Sequence, residues 1–413
     1  MLPHRVRSLS ALLATASLTT VATTVSATAA IATANTATTT NTAPPFPSEY
    51  LGTTDLSRIA ATPGTNEQEA NKQGVDKRGE APSFGGISGL ERLPGTPENT
   101  ANNTAEYLAL SDDSAEHGPS RAYHLAIPTE PHSSDSTEPA LADTITLRDT
   151  AGQPYAPRAV DPESVRLLPS GNLAWTSEGW AKDGDFRPPA VIISDASGRE
   201  LSRLKVPAYH APNPEGTAGI RHNKANEGLA LVSEDVVMTA NEGALVQDGP
   251  MNTAEQGMRV RLTQYSVSTG EPLAEYALEV GALYPGARDR GISEIIAGDD
   301  GSFYVIERGY VAGEGNRGEI YRVTLDGATN VLGQEQLTGA EIPVRKELVF
   351  DFSALPEHPD NIEALAWAPR LSDGRAQLLV LSDDNFSDKQ RTLLHRIALG
   401  TPQQEAVRHN TDQ

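Results

Sequence analysis

No cysteine occurs among the 413 residues. Its absence excludes disulfides, thiol catalysis, thiolate-held zinc and a lipidated cysteine anchor. Basic residues are scarce beside acidic ones, 33 against 55, for a formal charge of −22. A nucleic-acid partner, which needs a basic footprint, is thereby disfavoured. Several chemistry-bearing motifs are also missing. There is no G-x-S-x-G nucleophile elbow, since Ser88 lacks the trailing glycine, and neither H-E-x-x-H nor a phosphate-binding P-loop is present. Asp183-Gly184-Asp185 lacks the later ligands of an EF-hand loop. No 15-residue stretch has helical periodicity, and no internal segment is apolar enough to span a membrane.

What is present begins with an N-terminal targeting pattern. Arg5 and Arg7 precede the uncharged stretch from Leu9 to Val25, and Ala27-Thr28-Ala29 forms an A-x-A cleavage site. Residues 1–29 therefore read as a signal peptide and the mature protein as secreted. The Ala/Thr/Pro-rich run 30–47 reads as a disordered leader, 48–400 as the folded domain and 401–413 as a polar tail. Glycine (35) and proline (29) are frequent, which suits short strands joined by turns.

One pattern recurs five times. A short apolar strand opens on a small or acidic residue, and a second apolar strand ends in an acidic cluster. The opening residues are Ser88, Glu163, Glu227, Ser293 and Glu363, separated by 75, 64, 66 and 70 residues. The closing positions are Asp112/Asp113, Ser177/Glu178, Asn241/Glu242, Glu307/Arg308 and Asp383/Asp384. Two further strand candidates follow most copies, such as Ala122–Ile127 with Asp143–Arg148 and Ala190–Ser194 with Glu200–Val206. Four strands per repeat is the composition of a propeller blade. The expected fold is an all-β propeller of five recognisable blades, with room for a sixth before Phe84. The fifth copy runs out of chain after Thr392–Leu399, and the N-terminal strand Tyr50–Leu56 is expected to complete it and remove an exposed sheet edge. No assembly device is evident, so a monomer is expected.

In a blade, the first strand runs along the central channel and the second returns antiparallel. The start of one and the end of the other thus meet at the same mouth. Both acidic columns converge there, and crowded carboxylates demand protons, basic partners or cations. Oxygen ligands without cysteine or histidine clusters favour Ca²⁺. The opposing reading is structural: Asp, Asn and Ser cap turns, and repeated packing repeats residues. Glutamate at strand starts fits that reading less well, because it is depleted from strands.

Phe84-Gly85-Gly86-Ile87-Ser88-Gly89, Asp161-Pro162-Glu163, Asn226-Glu227-Gly228-Leu229-Ala230, Glu242-Gly243, Glu307-Arg308-Gly309, Gly315-Asn316-Arg317 and Asp360-Asn361-Ile362-Glu363 with Leu381-Ser382-Asp383-Asp384-Asn385-Phe386 resemble, in order and spacing, the phytase-like ("esterase-like activity of phytase") family. The resemblance runs from about Phe84 to Leu399. It implies a propeller and a phosphoester or ester hydrolase. The expected roles are Glu163, Glu227 and Glu363 as metal-binding or general-base residues, with Asp113, Glu178, Glu242 and Asp384 as an outer metal-binding row. Lys224, Arg308 and Arg317 are expected to hold the anionic or ester substrate. Two alternatives stand beside this: a non-catalytic extracellular binding propeller with structural acids, and a lactonase-like hydrolase with an oxygen-ligated channel metal.

Overall fold

The computed structural model describes residues 46–59, 84–95, 103–130 and 138–401. The expected signal peptide, almost all of the leader, and all but Thr401 of the tail lie outside these residues. Five four-stranded antiparallel sheets form a five-bladed β-propeller. Blade 1 holds β2 (Ile87–Arg92), β3 (Thr104–Ser111), β4 (Arg121–Pro128) and β5 (Ala140–Thr146). Blade 2 holds β6 (Pro162–Leu167), β7 (Leu173–Ser177), β10 (Ala190–Ser194) and β11 (Glu200–Arg203), interrupted by a separate hairpin of β8 (Trp180–Lys182) and β9 (Asp185–Arg187). Blade 3 holds β12 (Asn226–Ser233), β13 (Val236–Asn241), β14 (Met258–Ser266) and β15 (Pro272–Val280). Blade 4 holds β16 (Gly291–Ala297), β17 (Phe303–Val311), β18 (Gly315–Thr324) and β19 (Arg345–Asp351). Blade 5 holds β20 (Asn361–Ala368), β21 (Ala376–Asp383) and β22 (Leu393–Leu399), completed by β1 (Ser48–Asp55).

The N-terminal strand closes the ring as the sequence predicts. β1 pairs with β22 from Ser48 opposite Leu399 to Asp55 opposite Leu393. Phe46, counted with the leader above, packs edge-on against Tyr304. Each inner strand touches the next, from β2 through β6, β12 and β16 to β20, and β20 touches β2. That contact leaves no gap for a sixth blade. No helix among the described residues is long and apolar enough to cross a membrane.

The cores lie between blades. One cluster joins Ile87, Leu90, Tyr107 and Tyr123 of blade 1 to Ala364, Ala366, Leu379 and Leu394 of blade 5. Small residues on the inner strands let them converge on the axis. A Cβ on Gly228 would stand 2.6 Å from the Ile295 nitrogen, and one on Gly89 2.9 Å from the Glu163 carbonyl oxygen. Gly228→Ala is therefore expected to cost about 1–3 kcal/mol through overpacking against a backbone that has nowhere to go. Thermal unfolding of the purified variant checks this.

A candidate acidic site at the channel mouth

All five inner strands open with a β-bulge at the same place. Register slips between Ile87 and Gly89, Pro162 and Val165, Asn226 and Gly228, Ile292 and Glu294, and Ile362 and Ala364. The residue skipped in each slip belongs to the recurring column: Ser88, Glu163 (with Ser164), Glu227, Ser293 and Glu363. A bulge frees one residue from the ladder and re-aims its side chain. Here it lets a polar group sit on a strand otherwise filled by apolar residues. Glu163, Glu227 and Glu363 are all buried.

These glutamates meet the acids at the ends of the second strands in three groups. The groups are Asp112–Glu363–Asp383, Asp161–Glu163–Glu178 and Glu178–Glu227–Glu242, with one oxygen from each member lying within 4.8 Å of the others in its group. Glu178 belongs to two of them. The Ser88 hydroxyl lies 2.9 Å from Glu163 Oε2 and 2.9 Å from Glu363 Oε2, linking two groups. One hydroxyl carries one hydrogen, so only one of these contacts can be its donation. The hydrogen is either shared between the two carboxylates or supplemented by a proton on Glu163.

The electrostatics favour the added proton. Burial, reinforced by neighbouring acids, pushes Glu163 and Glu227 well above the ordinary glutamate range. Asp383 is raised by burial and by Glu363. Glu178 is pushed to about 8, by burial first and then by Asp161 and Glu242. Partial burial lifts Asp161 to about 6, against the opposing pull of Arg187.

Two of the expected cations serve this site. Arg308 donates from Nη2 to Glu363 (2.6 Å) and from Nη1 to Glu242 (3.2 Å), spanning blades 3 and 5. Lys224 Nζ donates to the same Glu242 oxygen at 2.8 Å. Arg317 instead pairs with Glu314 on the β17–β18 hairpin. Two expected metal ligands are displaced by one residue. Asp113 turns outward from the groups to Arg121 Nη1 (2.6 Å) and to the amides of Glu116 and His117, and its neighbour Asp112 takes the inward place. Asp384 accepts from the Gly86 and Phe386 amides, and Asp383 faces inward. At the ends of β3 and β21 the chain leaves the ladder into a turn, and Asp113 and Asp384 accept from turn amides there. A paired Asp-Asp thus supplies one inward acid and one turn anchor, and sequence does not say which is which.

A buried ionic centre below the mouth has no counterpart in the sequence reading. Glu294 accepts from the Ser164 hydroxyl and the Leu229 and Ile295 amides, and pairs with Arg166 at 3.0 Å. Arg166 also donates to the Leu90 and Ile295 carbonyls. Blades 1 to 4 are thus pinned at one point, and burial, partly offset by Arg166, raises Glu294 to about 7. Its only sequence signal is the step from Ser293 to Glu294 in the fourth copy, where the bulge carries the acid one position past the column.

The residues fit an oxygen-seeking cation. Every group member is a carboxylate, the donor set of hard divalent ions. The mouth also holds buried polar atoms without partners. The acceptors Glu242 Oε2, Asp383 Oδ2, Asn226 Oδ1 and Asn241 Oδ1 and the donors Asn226 Nδ2 and Asn241 Nδ2 make no hydrogen bond, though all four residues are buried. Asn226 and Asn241 stand opposite each other across β12 and β13, each one residue before a cluster glutamate. Leaving such a group unsatisfied costs about 1–3 kcal/mol, so these atoms call for water or a bound ion as partner.

A protein-family model described as phytase-like, "esterase-like activity of phytase", matches residues 82–386. No curated protein gives a significant match. Among solved structures, a luciferin-regenerating enzyme is similar at 11% identity, covering 76% of this chain and 80% of its own, with a TM-score of 0.35. A gluconolactonase from Xanthomonas campestris is similar at 11% identity, covering 76% and 86%, with a TM-score of 0.31. An α-L-arabinofuranosidase from Podospora anserina is similar at 11% identity, covering 80% and 98%, with a TM-score of 0.37. At these scores the likenesses decide nothing about the chemistry.

Proposed function

The chain belongs to the phytase-like family, and from that premise and the acidic mouth we propose that it is an exported, divalent-cation-dependent hydrolase of anionic phosphoesters or carboxylic esters. The observation that carries this reading is the buried group Glu178–Glu227–Glu242, with the partnerless Glu242 Oε2 and the Asn226 and Asn241 amides around it. These residues would hold the cation, with Ca²⁺ the ion best matched to them. When bound, such an ion supplies Lewis-acid polarisation of an ester or phosphoryl oxygen.

The chain's own groups do the rest. Glu163 offers an oxygen within 4.8 Å of both Asp161 and Glu178 and acts as general base toward the attacking water. Ser88 holds the Glu163 carboxyl in place from behind. Arg308 is positioned by Glu363 and offers its guanidinium to the anionic oxygens of the substrate. Lys224 neutralises Glu242 and adds positive charge on the same side. Arg308→Ala is expected to raise KM for an anionic ester on the order of 10- to 100-fold, the loss of a charged hydrogen bond, and to leave a neutral ester little affected. Steady-state kinetics on matched esters measures the difference.

Calorimetric titration of chelator-stripped protein with Ca²⁺, paired with a phosphoester, carboxyl-ester and lactone turnover screen, tests the whole reading. Saturable binding with calcium-dependent turnover is the expected result, and turnover insensitive to chelator overturns it. A second reading rests on the ion pairs of Arg308 and Lys224 with Glu242, which already balance part of the acid charge. In that reading the mouth is structural and the propeller binds an extracellular partner. Absence of both binding and turnover selects it.

A further inference from the structure

Among the described residues, blade 2 alone carries a separate hairpin, which follows directly on the acid Glu178 of the mouth. β8 and β9 leave the chain directly after Glu178 and return just before β10. Gly179 pinches its base: φ is +92°, and a Cβ there would stand 2.8 Å from both the Arg187 carbonyl oxygen and the Pro189 nitrogen. Across from the hairpin runs the segment 204–211, which leads out of β11. Between them lies a cleft of about 410 Å³. Asp161 and Ser177 are among its lining residues, so the cleft adjoins the Asp161–Glu163–Glu178 group through Asp161.

Its chemistry is unlike that of the mouth. Leu204, Val206, Pro207, Ala208 and Pro188 give it apolar walls. Trp180 lines it, held by His222 edge-on at 4.5 Å between ring centroids. The guanidiniums of Arg158 and Arg187 stand 5.6 and 5.7 Å from the Trp180 ring centre. Their partners, Glu116 and Asp185, are about half exposed, and such pairs exchange readily for another anion. An indole fixed on three sides, with two cations and apolar walls, is preorganised for a flat organic group that carries negative charge.

We propose that this cleft is the specificity subsite of the mouth, taking an aromatic organic group of an anionic ester against Trp180, with Arg158 and Arg187 as its counter-charge. Its role in turnover rests on the hydrolase reading above, and its binding does not. An aryl phosphate seated here keeps its ring among the apolar walls and its phosphoryl group beside the guanidiniums of Arg158 and Arg187, which line the same cleft as Asp161.

The test uses phenylphosphonate and methylphosphonate, whose C–P bonds resist hydrolysis, on chelator-stripped protein. Calorimetry is expected to show phenylphosphonate binding about 10-fold more tightly than methylphosphonate, from aromatic contact and burial. Trp180→Ala is expected to bring that ratio near unity, and Arg187→Ala to weaken both ligands about equally. Tryptophan fluorescence locates the site independently. Trp175 is fully buried and Trp367 donates to the Ala297 carbonyl, so quenching that disappears in Trp180→Phe reports the cleft. If Trp180→Ala does not fold, the Arg187→Ala and Trp180→Phe results decide. Equal binding of the two phosphonates, or an aryl preference that survives in a folded Trp180→Ala, overturns the subsite. An intact, Trp180-dependent preference without turnover under any cation upholds the subsite and removes the hydrolase reading. Turnover without aryl preference does the reverse.

Discussion

Chelator-stripped protein is expected to unfold at progressively lower temperature as pH rises from about 4.5 to about 8, and saturating calcium is expected to restore most of the loss. The sign follows from the direction of the carboxyl shifts. Glu178 has an ordinary value of 4.5 and is raised to about 8 in the fold. Glu163, Glu227 and Asp383 are raised in the same direction. A carboxyl with a raised folded pKa binds its proton more tightly folded than unfolded. Its stabilising effect is full below the unfolded value and is lost as pH climbs through the folded one. At about 1.4 kcal/mol per pKa unit, a shift such as that of Glu178 is worth a few kcal/mol, or a fall in Tm on the order of 10 °C. At the proposed site a divalent cation would take the place of the protons, so its apparent affinity is expected to rise with pH and its binding to release protons. Melting curves at about pH 5 and about pH 8, with chelator or calcium, measure the effect. Glu178→Gln separates it from general charge repulsion, because that variant should lose part of the pH slope while the rest of the −22 charge is nearly unchanged. A melting temperature that is flat across this window, or that calcium leaves unmoved, removes the cation from the mouth.

Glu163→Gln is expected to lower kcat by about 10²- to 10⁴-fold, the usual contribution of a general base, with little change in KM. The amide keeps the volume and still accepts from Ser88, while the proton acceptor is gone. Stability is expected to hold or rise in the cation-free protein, since one buried acid in a crowd of like charges becomes neutral. The loss therefore cannot be assigned to unfolding. The double variant with Glu227→Gln should behave likewise and should also weaken calcium binding, because Glu227 belongs to the Glu178–Glu227–Glu242 group proposed to hold the cation, while Glu163 belongs to the adjoining Asp161–Glu163–Glu178 group. A large fall in Tm for either variant, with no turnover in the parent protein, instead favours acids that hold blades together.

Much of the architecture was legible in the sequence because a propeller repeats its local physics. Each copy shows an apolar inner strand opening on a polar residue, a turn, and a second strand ending in acid, and the structure turns each into a blade. The closing strand was legible for the complementary reason. A fifth unit one strand short leaves an open edge, and the segment around Tyr50 was the apolar strand able to cover it. The β8–β9 hairpin was not legible, since three-residue strands around Asp183-Gly184 carry too little hydrophobic alternation to stand out from a loop.

The sequence by itself determined the chemistry available to the mouth: oxygen donors only, no thiol, and carboxylates recurring at both ends of the inner strand pair. It also placed Glu163, Glu227, Glu363, Glu178, Glu242, Lys224 and Arg308 among the candidates, all of which the fold gathers at that mouth. Only the tertiary structure decided which acids face one another. The five bulges, invisible in a one-dimensional pattern, re-aim the opening column. The turns that follow β3 and β21 leave Asp112 and Asp383 facing inward, with Asp113 on Arg121 and Asp384 on the Gly86 and Phe386 amides. The pairing of Arg166 with Glu294 joins residues 128 positions apart, and no local signal could relate them. Composition fixes which groups a chain possesses, whereas the distances that set their charge state exist only once the ring has closed.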